Sequence, residues 1–224
     1  MASRFRDRVD AGQRLANALT RYAGDPDVRV LGLPRGGVPV AHEVAVALRA
    51  PLDVFIVRKL GLPAHPELAM GAIASGGVVV MNDEVVRRFG VTGPRVRAVI
   101  EQEKRELERR EQRYRGDASS PDVEGRIVIL VDDGLATGAT MRAAVEAVKQ
   151  MHPKRVVVAV PIAAPETCEA FRDVTDDTVC AVTPEPFYAV GLWYEDFSQT
   201  SDEEVHELLE DARALAAAGQ GGAR

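Results

Sequence analysis

The chain has 224 residues, 46% of them apolar and 28% charged, a balance that excludes a mainly disordered or fibrous protein and suffices for one large domain or a core with a small appended lobe. Its net charge of −6 opposes a broad basic surface, so nucleic acid is not the expected partner. The longest apolar run, Val156 to Pro165, falls short of the ~20 residues of a membrane span; the N-terminus, MASRFRDRVD, lacks the apolar core of a secretion signal, and the cytoplasm is the expected compartment.

Phe5, Val9, Leu15, Leu19 and Tyr22 recur at roughly helical spacing and predict an amphipathic helix ending near Gly24. Val28 to Leu33 reads as a buried strand, Val38 to Ala50 as a helix with Pro39 in its first turn, and Leu52 to Val57 as a second strand. This βαβ unit implies a parallel pair. Ala72 to Ala74 and Val78 to Met81, joined by Ser75-Gly76-Gly77, read as a hairpin, and Asn82 opens a short helix after it. Pro94 to Arg115 is helical, with Glu101/Arg105, Glu106/Arg110 and Glu111/Arg115 four residues apart, the pattern of a solvated helix lying over a core. A surface connection over residues 116–125 leads to the strand Arg126 to Val131, the helix Met141 to Met151, the strand Arg155 to Val160, and a shorter helix and strand ending near Val182. This alternation predicts an α/β core around a mainly parallel sheet, with ligands at the carboxyl ends of its strands.

Aromatic residues are only 5% of the chain, yet Phe187, Trp193, Tyr194 and Phe197 fall within one short segment. Packing is the ordinary use of such rings, so anchoring of a C-terminal lobe is the favoured reading and stacking on a ligand the alternative. Ser201 and Glu204 form a capping box for a last helix, and residues 218–224 are expected to be disordered. Cys168 and Cys180 lack the spacing of a metal pair and are expected as reduced core thiols. The four histidines are scattered, and no zinc site is visible.

Val128 to Thr140, VILVDDGLATGAT, concentrates the chemistry. A buried apolar strand ends in two adjacent carboxylates, Asp132 and Asp133, whose burial calls for a partner such as sugar hydroxyls or a hydrated metal. Gly134, Leu135, Ala136, Thr137, Gly138, Ala139 and Thr140 then lead into a helix: small residues let the backbone approach a ligand, and the helix start presents N–H groups suited to a phosphate. A carboxylate pair beside such an amide nest describes a sugar-phosphate site. The chain has no GxxxxGK[ST], and the turn GLPRGG lacks GxGxxG spacing, so neither a nucleoside triphosphate nor a dinucleotide is favoured.

This stretch resembles, position by position, the signature with which type I phosphoribosyltransferases bind phosphoribosyl pyrophosphate (PRPP). The resemblance extends to element order over about 28–182, and the whole chain is similar to a little-characterised bacterial branch of that family. It implies a type I phosphoribosyltransferase fold: one domain over 1–224 with its core at about 28–182 and a small hood lobe and helix at about 183–217. It also implies that Asp132 and Asp133 hold the ribose hydroxyls and that Leu135 through Thr140 enclose the 5-phosphate. Arg35-Gly36-Gly37 matches the family's pyrophosphate loop, and two glycines beside an arginine permit unusual dihedrals there. Arg58-Lys59 ends the expected second strand, where two cations can meet pyrophosphate charge. The following LGLPAHPELAMGA occupies the place of the family's mobile catalytic loop; RKLGLP is similar to the opening of that loop in adenine phosphoribosyltransferases, but a second lysine is missing, the later acidic-aromatic-glycine element is reduced to Glu67-Leu68-Ala69-Met70-Gly71, and Glu67 is a candidate acid or base. Where enzymes for 6-oxopurines carry an acid, this chain has Ala136, which disfavours hypoxanthine and guanine.

The resemblance further implies Mg²⁺ bound with PRPP, with no metal ligand assigned in the chain, a small nitrogenous base as acceptor, and a homodimer or higher homo-oligomer. The acceptor would sit under a hood built from the variable chain ends, where Phe187, Trp193 and Tyr194 could stack on it. The expected reaction is transfer of 5-phosphoribosyl from PRPP to a nitrogen base with release of pyrophosphate. The alternative is a PRPP-sensing regulator on the same fold that catalyses nothing.

Overall fold

A computed structural model describes residues 4–63, 65–116 and 120–221. In chain order the elements are α1 (Arg8–Ala18), β1 (Val28–Gly32), α2 (Gly37–Leu48), β2 (Leu52–Val54), β3 (Val57–Leu62), β4 (His65–Ala74), β5 (Val78–Met81), α3 (Asp83–Arg88), α4 (Gly93–Arg115), β6 (Ile127–Val131), α5 (Ala139–Lys149), β7 (Arg155–Ile162), α6 (Pro165–Arg172), β8 (Asp177–Val182) and α7 (Asp202–Gly221). β2-β1-β6-β7-β8 form a parallel sheet and β3-β4-β5 an antiparallel one. The expected α/β core with its mainly parallel sheet is therefore present, including the β1–β2 pair and the β4–β5 hairpin.

The parallel sheet is buried on both faces, which explains why its strands read as continuous apolar runs. Val30, Ile129 and Val131 pack with α1, α2 and α7 residues such as Leu15, Val44 and Leu209; Leu31, Val128 and Leu130 pack on the other face with Met141, Val148 and Phe171. Asn82 accepts from the Val85 amide at 3.1 Å and Ser201 from the Glu204 amide at 3.0 Å, so both caps form as the sequence predicts.

Several expectations need correction. The strand expected over Leu52 to Val57 is broken at Phe55 and Ile56, and β3 enters the second sheet. Ser75 fixes that crossing: its amide donates to the Ile56 carbonyl at 2.9 Å and its hydroxyl accepts from the Ile56 amide at 3.0 Å. Buried Arg115 clamps the same place through Asp53 and Glu111, at 2.7 and 2.8 Å. Phe5 precedes α1 and pairs with Tyr194 instead of lying on the helix, and Val9 is largely exposed. Cys168 and Cys180 form a disulfide, because α6 packs on β8 and brings their Cα atoms to 6.5 Å, a proximity that sequence spacing does not reveal. α7 continues to Gly221, so the disorder expected from 218 fails over 218–221; residues 222–224, and 117–119 of the expected surface connection, lie outside the described residues. Among the described residues no helix is long and apolar enough to cross a membrane.

Candidate functional site

β1 and β6 are neighbours, with Gly32 level with Val131. From β1 the chain crosses through α2 to β2 on one side, and from β6 through α5 to β7 on the other. The two connections diverge, so a crevice opens between residues 33–36 and 132–138, the place where doubly wound sheets take ligands.

The loops meet at the base of this crevice with no space to spare. A Cβ on Gly36 would stand 2.1 Å from Asp133 Oδ2, and one on Gly37 would stand 2.7 Å from the Val131 carbonyl and 2.8 Å from Asp132 Cα. Gly36 has φ −61° and Gly37 opens α2, so the reason expected for these glycines is corrected: they are required for close approach, not for unusual dihedrals. The Pro34–Arg35 peptide is cis. Arg35 itself turns toward the start of α7, with Nη1 3.8 Å from Asp202 Oδ1.

The Asp133 amide donates to Asp132 Oδ1 at 2.9 Å. Arg8, the first residue of α1, places Nε and Nη2 at 3.0 and 2.9 Å from Asp133 Oδ2, and the Tyr194 hydroxyl donates to the Asp133 carbonyl at 2.6 Å. Burial pushes both carboxyls above the usual carboxylate range. Asp132 rises further because the charge of Asp133 adds to burial, while Arg8 opposes the rise at Asp133.

Beyond the acids, Gly134 admits the close approach of Val190, and Leu135 is buried, its amide donating to the Ile162 carbonyl at 2.9 Å. Thr167 Oγ1 donates to the Ala136 carbonyl at 2.6 Å. Gly138 takes φ +69°, where a Cβ would also stand 2.6 Å from the Phe171 ring. α6 therefore supports the loop from behind, while Ala136, Thr137, Ala139 and Thr140 stay exposed. The first N–H groups of α5 have no intrahelical partners, so the exposed rim is a short nest of donors at the positive end of a helix.

A family model for the phosphoribosyl transferase domain matches residues 66–185. The chain belongs to the phosphoribosyl transferase family. Two curated proteins from Mycobacterium tuberculosis, strains H37Rv and CDC 1551, provisionally named phosphoribosyl transferases, are each 49% identical over 216 residues. These cover 96% of this chain but 48% of the relatives, so the chain spans about half the length of the curated relatives it matches. The crystal structure of TT1426 from Thermus thermophilus is similar at 44% identity and a TM-score of 0.82, covering 93% of this chain and 98% of that one. The crevice between β1 and β6 is thus the candidate ligand site of a type I phosphoribosyltransferase fold.

The other residues singled out from the sequence lie on different elements of the fold. Arg58 and Lys59 are in β3, not at the end of the second strand of the parallel sheet, and most of the expected mobile loop is the β3–β4 hairpin; position 64 lies outside the described residues. Arg58 Nε donates to Glu103 Oε2 of α4 at 2.6 Å. Lys59 Nζ donates to the Glu67 carbonyl at 3.1 Å and lies 3.5 Å from the Glu67 carboxylate, which is 98% exposed. All three line a cavity of about 490 Å³ between the hairpin and α4 that includes no residue of 35–37 or 132–140. The sequence-predicted residues thus form two groups, one at each sheet.

The aromatic segment is divided as well. Tyr194 is 4% exposed, its ring centroid 5.3 Å from Phe5 and 5.0 Å from Phe197, so this ring packs between the chain ends and is not open for the stacking given as the alternative. Phe187 and Trp193 are half-buried against the same cluster. Sequence reasoning missed Arg8 and Val190. Arg8 stands among several N-terminal arginines with no local feature to distinguish it.

Proposed function

We propose that this protein transfers the 5-phosphoribosyl group of PRPP to a nitrogen base and releases pyrophosphate. The observation that carries the reading is the meeting of Gly36 and Gly37 with Asp132 and Asp133 at the point between β1 and β6 where the strand connections turn to opposite sides of the sheet. On this reading Asp132 and Asp133 accept hydrogen bonds from the ribose hydroxyls. The amides of residues 135–140, with the Thr137 and Thr140 hydroxyls, hold the 5-phosphate, and the backbone of 35–37 faces the pyrophosphate. The nitrogen attacks the anomeric carbon as its bond to pyrophosphate oxygen breaks, with inversion and oxocarbenium character, so catalysis is positioning plus stabilisation of the departing charge. Lys59 suits that last role better than Arg58, since Arg58 is committed to Glu103 while the Lys59–Glu67 pair is exposed and exchangeable. Glu67 remains the candidate acid or base.

No group of three or more His, Cys, Asp or Glu residues is placed to hold a metal among the described residues. On this reading Mg²⁺ would be held by oxygens of PRPP, where it would neutralise charge on the pyrophosphate. Phe187 and Trp193 are proposed to border the acceptor. Trp193→Ala should then raise the acceptor KM, and because the ring is only half-buried it should cost ~2 kcal/mol of stability, less than a fully buried ring. A large drop in melting temperature with an unchanged KM would move the acceptor elsewhere.

Pyrophosphate release with PRPP, Mg²⁺ and a panel of purines, pyrimidines and other nitrogen bases tests the function. Turnover with at least one base is expected. PRPP binding without release for any base would favour a sensor, a reading supported by the separation of the Lys59 cavity from the crevice loops.

A further inference from the structure

We propose that Arg8 is a positioning residue for the ribose site, gripping one carboxylate oxygen of Asp133 and leaving the other to accept a sugar hydroxyl. This rests on the reading of the crevice as a PRPP site. Arg8 and Asp133 are 125 positions apart, yet both guanidinium contacts fall on Oδ2, and no donor from another described residue reaches Oδ1. The guanidinium is itself held on every side. Its Nη1 donates to the Ser198 carbonyl at 2.7 Å, its Cζ lies 4.2 Å from the centroid of the Phe197 ring, and its side chain is 12% exposed. The backbone beneath it is zipped to the C-terminal segment, with Phe5 N donating to Trp193 O at 2.8 Å, Glu195 N to Phe5 O at 2.8 Å and Asp196 N to Arg6 O at 2.9 Å. An arginine held this closely against one carboxylate is a built contact, unlike the exposed ion pairs along α4.

Among the described residues, the charged and titratable groups around Asp133 are few. Asp132 lies beside it on the same loop, Arg8 reaches it from α1, the Tyr194 hydroxyl sits on its carbonyl, and Asp196 stands near Arg8. Tyr194 stays protonated, since burial pushes its hydroxyl up. Burial favours a neutral Asp133, and Arg8 opposes it most strongly, with a smaller contribution from the Asp133 backbone amide. Without the guanidinium, Asp133 would hold its proton to higher pH and lose the charge with which it accepts a hydroxyl. The resulting defect should recede as pH rises.

The test uses the full chain with Arg8→Gln and Arg8→Lys. PRPP affinity is measured by calorimetry from about pH 6 to about pH 9, and the Asp133 carboxyl is titrated by carbon NMR without ligand. Arg8→Gln should weaken PRPP binding about tenfold or more near pH 7, the scale of a lost charged hydrogen bond, and by clearly less near pH 9. Its Asp133 carboxyl should titrate higher than in the wild type, and Arg8→Lys should recover most of the affinity. A loss equal at every pH, an unmoved carboxyl titration, or tighter PRPP binding by Arg8→Gln would overturn the proposal, the last by making Arg8 a blocker of the site. If the wild type binds no PRPP, the reading of the crevice fails, and the carboxyl titration still decides whether Arg8 controls Asp133.

Discussion

The crevice at β1 and β6 and the hairpin of β3 and β4 carry the two groups of residues that the sequence singles out, and they are built in opposite ways. In the crevice, close contacts fix the loops: Gly36 presses on the Asp133 carboxylate and Gly37 on the backbone of Val131 and Asp132, α6 supports the loop through Thr167 and Phe171, and Arg8 closes over Asp133. In the hairpin the candidate groups are ends of long side chains in partly exposed pairs, Lys59 with Glu67 and Arg58 with Glu103. A site that must hold a ligand's shape is fixed by contacts that allow no alternative. A group that acts on a departing charge can be held by a pair that water and substrate can replace, since such exposed pairs contribute only ~0–1 kcal/mol.

The contrast breaks most readily at Gly37. Its added methyl in Gly37→Ala would strike backbone, the Val131 carbonyl and Asp132 Cα, so the variant should lose ~1–3 kcal/mol of stability and its PRPP binding together. A variant of wild-type stability and affinity, measured by thermal melting and calorimetry, would mean the loops are not locked. Lys59→Ala should do the reverse: unchanged melting temperature, nearly unchanged PRPP affinity, and a kcat lower by about 10²-fold, the scale of one lost transition-state donor. Equal losses in affinity and turnover would assign Lys59 to binding alone. Asp133→Asn should weaken PRPP by ~1–3 kcal/mol with little change in kcat, and an unaltered affinity would move the ribose contact away from this residue.

What the sequence made legible was local. The strand of VILVDDGLATGAT, its two acids and the helix start after it can be read within one stretch, because burial of the strand, the cost of its carboxylates and the donors of the helix all follow from neighbours in the chain. Asn82 and Ser201 were readable as caps for the same reason. What escaped depends on residues far apart. Arg8 finds Asp133 only after α1 has packed across the sheet, and Cys168 meets Cys180 only because α6 lies against β8. The break between β2 and β3 is set by Ser75, which returns to Ile56 from the far end of a hairpin. The glycines after β1 were visible, but the need they meet lies in the loop after β6.

Calorimetric titration of PRPP into the wild-type chain, with and without Mg²⁺, tests the central claim most directly. The locked crevice predicts a saturable single-site isotherm, tighter with Mg²⁺ than without and abolished in Gly37→Ala. No PRPP binding under either condition, or equal binding by Gly37→Ala, would contradict it.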